Sequence, residues 1–218
     1  MNSFSTNILF GCPIYRVKID PKSFNKEKMV KAIKANYKLD PARNKWDREG
    51  SDFHHAHEDF TNKKFKPVDF SYIIPIYTEI FDEFYTKVLR GKGAYTYGFN
   101  ITNYTAVKKG QYMRSHDHLP DADFSCIHYL KFNPSEHSRT KYLNPAYYSR
   151  FMKFIRPKMH AYVDSQYPGN SYLYDDWSLP IEEDDFIIAP SVLRHEIPKQ
   201  EDTKDLRITI VANVSITK

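Results

Sequence analysis

The stretch Tyr112-Met113-Arg114-Ser115-His116-Asp117-His118 carries two histidines separated by one residue, in a segment that reads as a β-strand. Successive side chains of a strand point to opposite faces, so we expect His116 and His118 on one face and Asp117 on the other. Imidazole is a common metal ligand, and two on one face can bind the same ion. The stretch therefore predicts a metal site built on a β-sheet.

A third histidine of interest lies far along the chain. His195 is in the second of two short apolar strands that a proline separates, within the range 186–198. Arg207 follows twelve residues later, at the start of the most regular strand in the sequence. A close histidine pair, a distant histidine and then an arginine form an ordered pattern. This order is more specific than any one of its members.

The last predicted strand, residues 206–216, has two different faces. One face is apolar and consists of Leu206, Ile208, Ile210, Ala212, Val214 and Ile216. The other face is unusually polar and carries Arg207, Thr209, Val211, Asn213 and Ser215. An arginine followed two residues later by a hydroxyl is suited to hold a carboxylate through paired, charge-assisted hydrogen bonds.

Helices precede most of the strands. One helix is predicted from Asn25 to about Tyr37, and a second begins near Pro75 and ends before Gly91, with a broad apolar stripe that we expect to pack on the back of a sheet. After Gly93 the period changes from helical to two. Further strands are predicted near residues 8–10, 14–19, 95–102, 124–132, 140–143, 159–163, 185–189 and 193–197. This order predicts an α+β protein whose functional part is a β-sandwich or barrel.

Composition narrows the class of protein. The 218 residues are 41% hydrophobic and 16% aromatic, which is typical of one folded domain. The net charge of +5 comes from dispersed lysines without a basic block, so nucleic-acid and membrane-surface binding have little support. Two cysteines, Cys12 and Cys126, suit a reducing compartment. No apolar run approaches the length of a membrane span, and the N-terminus lacks the basic-then-apolar pattern of a secretion signal. We therefore expect a soluble, cytoplasmic protein.

These pieces together resemble the iron(II)- and 2-oxoglutarate-dependent oxygenases, in particular the small ones common in bacterial and phage genomes. If the protein is phage-encoded, the expected cytoplasm is that of the host. The resemblance runs from about Ile101 to Val214, and residues 9–15 also look like the start of that subfamily. The matching pieces are Gly110 with His116-Asp117-His118, 124–130, 140–145, 188–195, and Arg207-Ile208-Thr209 with Asn213.

The resemblance implies a double-stranded β-helix, a jelly-roll or cupin-like barrel, with N-terminal helices packed on its outer face. It implies a single domain over 1–218, in which 1–92 are a supporting strand and helical region. Residues 93–218 would be the core of the barrel, with an insertion around 146–180.

The resemblance also implies roles for individual residues. His116 and His195 would bind iron(II), and His118 stands where most relatives have an aspartate or glutamate. Three alternatives follow: His118 completes a three-histidine site, Asp117 takes over through a local bulge, or metal affinity and activity are altered. Strand alternation favours His118. Arg207 would pair with the distal carboxylate of 2-oxoglutarate, helped by Thr209 and Tyr129.

The implied reaction consumes dioxygen and 2-oxoglutarate, releases succinate and CO₂, and by default hydroxylates a substrate that the sequence does not identify. Two other functions stay open: a three-histidine cupin-type metal dioxygenase without 2-oxoglutarate, and a non-catalytic β-barrel interaction module. Arg207 could instead pair with Asp205 or Glu201. The sequence predicts neither the oligomeric state nor the physiological metal.

A second group of histidines lies upstream, at His54, His55 and His57. The cysteines are remote and no second cluster has zinc-finger spacing. We therefore interpret this segment as part of a solvated or substrate-covering loop, not as the primary metal site. His128 falls on the strand face opposite Tyr129, where we expect a structural role.

Overall fold

The computed structural model describes residues 5–9, 12–42, 51–55, 64–91, 93, 96–145, 158 and 175–217. The helices are α1 (Lys26–Leu39) and α2 (Ile74–Glu83), and α2 continues as a π-helix at Phe84–Val88. The strands are β1 (Ser5–Leu9), β2 (Cys12–Lys18), β3 (His54–His55), β4 (Thr96–Val107), β5 (Met113–His116), β6 (Phe124–Lys131), β7 (Lys141–Leu143), β8 (Asp176–Ser178), β9 (Asp185–Pro190), β10 (His195–Ile197) and β11 (Arg207–Thr217).

The strands form two antiparallel sheets. The major sheet has the order β1-β2-β9-β6-β11-β4-β3, and the minor sheet has the order β5-β10-β7-β8. β11 lies inside the major sheet and pairs along its length with β4 and β6. Most neighbours are distant in sequence, so the sheets are assembled by long-range pairing.

Both helices pack on one face of the major sheet. The core there combines Ile33 of α1 and Phe81 of α2 with the even-numbered side chains of β11, among them Ile208 and Ile210. Pro75 lies in the first turn of α2, as expected for a residue without a backbone N–H. The predicted helices on the outer face and the predicted apolar face of the last strand are therefore confirmed.

The opposite face of the major sheet packs on the minor sheet. A second buried cluster joins Ile127 and Tyr129 of β6 and Ile187 of β9 to Tyr142 of β7. The polar face of β11 points into the same space. The structure thus has mainly antiparallel strands with two helices outside, in the part of the chain that it describes.

Several boundaries differ from expectation. The N-terminal strand is a hairpin of β1 and β2, in which Ile8 pairs with Pro13. The first helix extends to Leu39. The strand predicted at 159–163 and most of the insertion at 146–180 lie outside the described residues. No helix among the described residues is both long and apolar enough to cross a membrane.

The interpretation of the upstream histidines as a solvated loop is wrong for His54 and His55. They form β3 at the edge of the major sheet, opposite Ala106 and Thr105, and both are buried. His54 Nδ1 donates to the Asp40 carbonyl over 2.6 Å, and its Nε2 lies 3.1 Å from the Tyr104 hydroxyl. Hydrogen bonds to both ring nitrogens make burial of this polar residue tolerable. His57 lies outside the described residues.

Candidate metal and co-substrate site

Three histidines from separate segments meet at one side of the minor sheet. His116 is the last residue of β5 and His195 is the first residue of β10, and their Cα atoms are direct partners across the ladder. Ring centroids lie 4.5 Å apart for His116 and His195, 5.3 Å for His116 and His118, and 5.2 Å for His118 and His195. One nitrogen from each ring lies within 4.8 Å of the other two.

Strand alternation does not explain the position of His118 beside the other two histidines. β5 ends at His116, so His118 lies in the following loop. Its backbone N–H donates to the Ser191 carbonyl over 3.1 Å, which ties the loop to the turn before His195. Asp117 is exposed, and its Oδ1 accepts a hydrogen bond from the Leu119 N–H at 3.3 Å. Asp117 is thus outside the group that could share a metal ion.

The hydrogen bonds of His116 and His195 fix which ring nitrogen carries the proton. His116 Nδ1 donates to the Arg114 carbonyl at 2.9 Å, and His195 Nδ1 donates to the Leu193 carbonyl at 3.1 Å. Because a carbonyl only accepts, each Nδ1 carries the proton, and Nε2 is the nitrogen that can bind a metal. His118 Nε2 is buried and has no hydrogen-bond partner among the described residues.

Burial keeps the three imidazoles neutral. It lowers the pKa of His116, lowers the pKa of His118 to about 4 with a further contribution from His116, and holds the pKa of His195 well below its usual value. A charged imidazole would lose its hydration in this site, and two charged rings would repel each other. Neutral imidazoles have the free lone pair that metal binding requires. The three histidines therefore fit a divalent transition metal.

Arg207 is the most unusual side chain of the site. It is fully buried at the start of β11, and its Nη2 donates to Thr140 Oγ1 at 2.9 Å. Its Nε and Nη1 are buried without a hydrogen-bond partner among the described residues. Asp205, the acid considered as its partner, pairs instead with Lys131 and Lys34, at 2.9 and 3.2 Å. A buried charge without a counter-ion costs several kcal/mol, so this guanidinium fits a ligand carboxylate.

Thr140, which begins the matching stretch 140–145 but was given no role from the sequence, organises the surroundings of Arg207. Its Oγ1 accepts hydrogen bonds from Arg207 and from the Tyr129 hydroxyl, the latter at 2.7 Å. With two donors on its oxygen, Thr140 is left to donate its own proton to a further acceptor. The Tyr129 ring lies 5.3 Å from the guanidinium carbon. Tyr129 thus contacts Arg207 and Thr140, and it is not among the residues that line the cavity.

A cavity of about 280 Å³ connects the three histidines with Arg207. The polar face of β11 lines it with Arg207, Thr209, Val211 and Asn213, as its alternation predicted. The remaining lining residues are His55, Thr105, Met113, His116, His118, Asp121, Ile127, Thr140, His195 and Ile197. Sequence reasoning did not place Met113 or Ile197 in the site, since apolar residues of short strands are normally assigned to the core.

The sequence matches no family model, and no curated protein is significantly similar to it. Solved structures do match. A non-heme α-ketoglutarate-dependent carbocyclase, SnoK from nogalamycin biosynthesis, has a TM-score of 0.55 at 8% identity, over 92% of this chain and 78% of that one.

Two prolyl hydroxylases are similar to nearly the whole chain. A Trichoplax adhaerens prolyl hydroxylase in complex with a hypoxia-inducible factor peptide has a TM-score of 0.51 at 11% identity, over 99% of this chain and 84% of that one. A Pseudomonas putida prolyl-4-hydroxylase has a TM-score of 0.50 at 10% identity, over 99% and 93%. The chain therefore has the fold of the 2-oxoglutarate- and iron(II)-dependent oxygenases.

Proposed function

We propose that this protein is an iron(II)- and 2-oxoglutarate-dependent dioxygenase that hydroxylates a substrate C–H bond. One observation carries the proposal: a buried guanidinium, with two donor nitrogens that have no partner among the described residues, lines the same cavity as three neutral imidazoles. The guanidinium fits a carboxylate, and the imidazoles fit a divalent metal. A keto acid that chelates a metal needs a carboxylate site and a metal site in one cavity.

In this proposal His116, His118 and His195 hold iron(II). His116 and His195 are oriented by the backbone carbonyls that accept their Nδ1 protons, which fixes the ring planes before a metal arrives. His118 takes the position at which most oxygenases of this kind have a carboxylate. Three neutral ligands leave the full charge of the metal to be balanced by 2-oxoglutarate.

Arg207 binds the distal carboxylate of 2-oxoglutarate through the Nε and Nη1 groups that the protein leaves unpaired. Thr209, two residues along β11, and Thr140 add hydroxyl groups at the same end of the cavity. Tyr129 is a positioning residue: its hydroxyl occupies one lone pair of Thr140 Oγ1, and its ring packs against the guanidinium. The acid is thus recognised by a rigid, mostly buried set of donors.

The two facing sheets would correspond to a double-stranded β-helix, with residues 1–92 as its outer support in a single domain. Bound iron(II), with dioxygen and 2-oxoglutarate, supplies the oxidising power for hydroxylation, and the keto acid leaves as succinate and CO₂. The chain itself orients the acid and excludes water. Met113, Ile127 and Ile197 present apolar surface to the cavity, which limits the water that reaches the site.

A second candidate is a three-histidine dioxygenase that does not use 2-oxoglutarate. The position of Asp117 outside the histidine group favours it, because such a site contains no carboxylate ligand. It does not explain why Arg207 is buried without a counter-ion.

An anaerobic iron(II) titration with and without 2-oxoglutarate tests the proposal. We expect a weak visible charge-transfer band only when both are present, because the band arises from chelation of the keto acid to iron. His195→Ala should lose iron binding and the band. Arg207→Ala should keep iron and lose the band at 2-oxoglutarate concentrations that saturate the wild type.

Arg139→Ala is the matched control, since Arg139 is adjacent to Thr140 in the chain but exposed. It should leave the titration unchanged. Iron binding without any band would refute the proposal and support the three-histidine candidate. Absence of iron binding would contradict both.

A further inference from the structure

The cavity has a second charged side chain, Asp121, near the far end of the polar face of β11. Arg207 and Asn213 are six residues apart on this strand, or roughly 20 Å. Beyond Asn213, Val214 accepts a hydrogen bond from the Asp123 N–H at 2.8 Å, and Ser215 Oγ donates to the Asp121 carbonyl at 3.2 Å. Asp121 therefore lies at the opposite end of the polar face from Arg207.

Three aspartates occupy this loop, and only Asp121 lines the cavity. The Asp117 carboxylate accepts a hydrogen bond from the Leu119 N–H, and the Asp123 carboxylate accepts one from the Ile216 N–H at 2.6 Å. The carboxylate of Asp121 has no hydrogen bond or salt bridge to another described residue. Asp121 is also the member of the three that lines the cavity. The Asp121 carboxylate thus faces the cavity, whereas the carboxylates of Asp117 and Asp123 accept backbone hydrogen bonds.

A second unmet acceptor lies at the same end. Asn213 lines the cavity, and its Oδ1 is buried without a hydrogen-bond partner among the described residues. A carboxylate and an amide oxygen both accept hydrogen bonds. A ligand that satisfies both must donate several, and one that also neutralises Asp121 must be positively charged.

The backbone holds Asp121 at a defined place relative to the histidines. The N–H groups of Asp121 and Ala122 donate to the His118 carbonyl at 3.0 and 3.1 Å. The Ser191 N–H donates to the Asp123 carbonyl at 3.0 Å, which ties the loop to the turn that precedes His195. A cation at Asp121 would therefore lie close to the three-histidine group.

The cavity also offers apolar surface, from Met113, Ile127, Ile197 and Val211. Such a lining suits methylene groups and gives no partner to additional polar groups. The whole chain carries a net charge of +5, so it has no general attraction for cations. Recognition of a cation would be a local property of Asp121 and Asn213.

We propose that Asp121, with Asn213, binds a cationic nitrogen of the substrate, so that the substrate is an aliphatic amine. The identification of this ligand as the prime substrate rests on the proposed oxygenase function, whereas binding of the amine does not. The amine belongs either to a small molecule or to a lysine side chain, and the chemistry of the two is the same.

The test compares two probes of similar shape, n-pentylammonium and 1-pentanol, whose dissociation constants are measured by ligand-observed NMR on the metal-free protein. The wild type should bind the ammonium about three- to fivefold more tightly, as expected for a charge-assisted hydrogen bond at an exposed carboxylate. Asp121→Asn should remove this preference. Asp202→Asn, which makes the same charge change at an exposed site, should keep it.

Equal preference in wild type and Asp121→Asn, or tighter binding of pentanol by the wild type, would overturn the proposal. A blocked Gly-Lys-Gly peptide separates the two sources: binding at least as tight as that of pentylammonium indicates a lysine side chain, and weaker binding indicates a free amine.

The iron(II) and 2-oxoglutarate titration of Asp121→Asn separates this proposal from the previous one. Asp121→Asn should show the same band as the wild type. If the variant loses iron, Asp121 belongs to the metal site and the amine proposal is wrong. If the wild type forms no band but prefers pentylammonium through Asp121, the oxygenase proposal fails while the amine site stands.

Discussion

Replacing Arg207 by methionine should stabilise the protein and at the same time abolish its response to 2-oxoglutarate. The guanidinium is fully buried with two unmet donors, which cost about 2 kcal/mol each. The substitution also removes the hydrogen bond to Thr140, worth about 2 kcal/mol, and exchanges the guanidinium contacts with the Tyr129 and Phe132 rings for contacts of the methionine sulfur, at a net loss of about 1 kcal/mol. The net expectation is a stabilisation of about 1 kcal/mol.

Thermal unfolding measures both effects. In the absence of 2-oxoglutarate, Arg207→Met should raise Tm by about 2–4 °C for a chain of this size. The second measurement is made with iron(II) and without oxygen, at a 2-oxoglutarate concentration about 100 times the dissociation constant of 2-oxoglutarate. Under these conditions 2-oxoglutarate should stabilise the wild type by about 2.7 kcal/mol, which raises Tm by about 5–11 °C. The variant should show no such increase.

The same substitution at the exposed Arg139 is the control, and it should change the free energy of unfolding by less than about 0.5 kcal/mol while it keeps the response to 2-oxoglutarate. A loss of more than 1 kcal/mol in Arg207→Met would show that the guanidinium is already satisfied in the protein. A retained response to 2-oxoglutarate would show that the acid binds elsewhere. Either result would refute the reasoning.

Three further predictions concern neighbouring residues. Thr140→Val keeps the shape of the side chain but removes the hydroxyl, so calorimetric titration should show 2-oxoglutarate bound about tenfold more weakly and iron unchanged. In a metal-competition assay, His118→Ala should weaken iron binding and His118→Asp should restore it, whereas Asp117→Asn should have little effect. If only Asp117→Asn lost iron binding, Asp117 and not His118 would be the third metal ligand. Since burial lowers the pKa of His118 to about 4, the metal-free unfolded chain binds more protons below pH 6.5, and stability should fall as the pH drops from 6.5 towards 4. Urea denaturation should show that His118 contributes about 3 kcal/mol to this loss, and that His118→Gln has a smaller pH dependence than the wild type.

Local periodicity predicted much of the fold correctly. The alternation of residues 206–216 separated the apolar face, which packs under the helices, from the polar face that lines the cavity. The apolar stripe of the second helix correctly indicated packing on the outside of a sheet. These predictions depend on residues close in sequence, whose relative directions are set by backbone geometry alone.

The candidate site was predicted in part. His116, His118, His195, Arg207 and Thr209 do lie around one cavity. The proximity of His118 to His116 was expected from strand alternation, but the strand ends at His116, and a hydrogen bond from the His118 N–H to the Ser191 carbonyl holds the backbone at this position. A sequence pattern does not show where a strand ends to within two residues, and it does not show which turn will accept the next N–H.

Other members of the site had no local pattern to reveal them. Thr140 is important because Tyr129 and Arg207 both donate to its hydroxyl, and these residues come from three separate segments. Asp121 is distinguished from Asp117 and Asp123 by its place in the cavity lining and by the hydrogen bonds that the other two carboxylates accept. The exposure of a carboxylate to a cavity depends on all elements around it.

The amino-acid sequence by itself determined which side chains share the face of a strand or a helix, and which of them have the chemistry of metal and carboxylate binding. Only the tertiary structure decided which faces meet. The ladder between β5 and β10 places His116 opposite His195, although they are seventy-nine positions apart in the chain, and the packing of the minor sheet on the major sheet brings Arg207 to the same cavity. Periodicity is a local property of the backbone, whereas the register of strands distant in sequence results from the packing of the whole core.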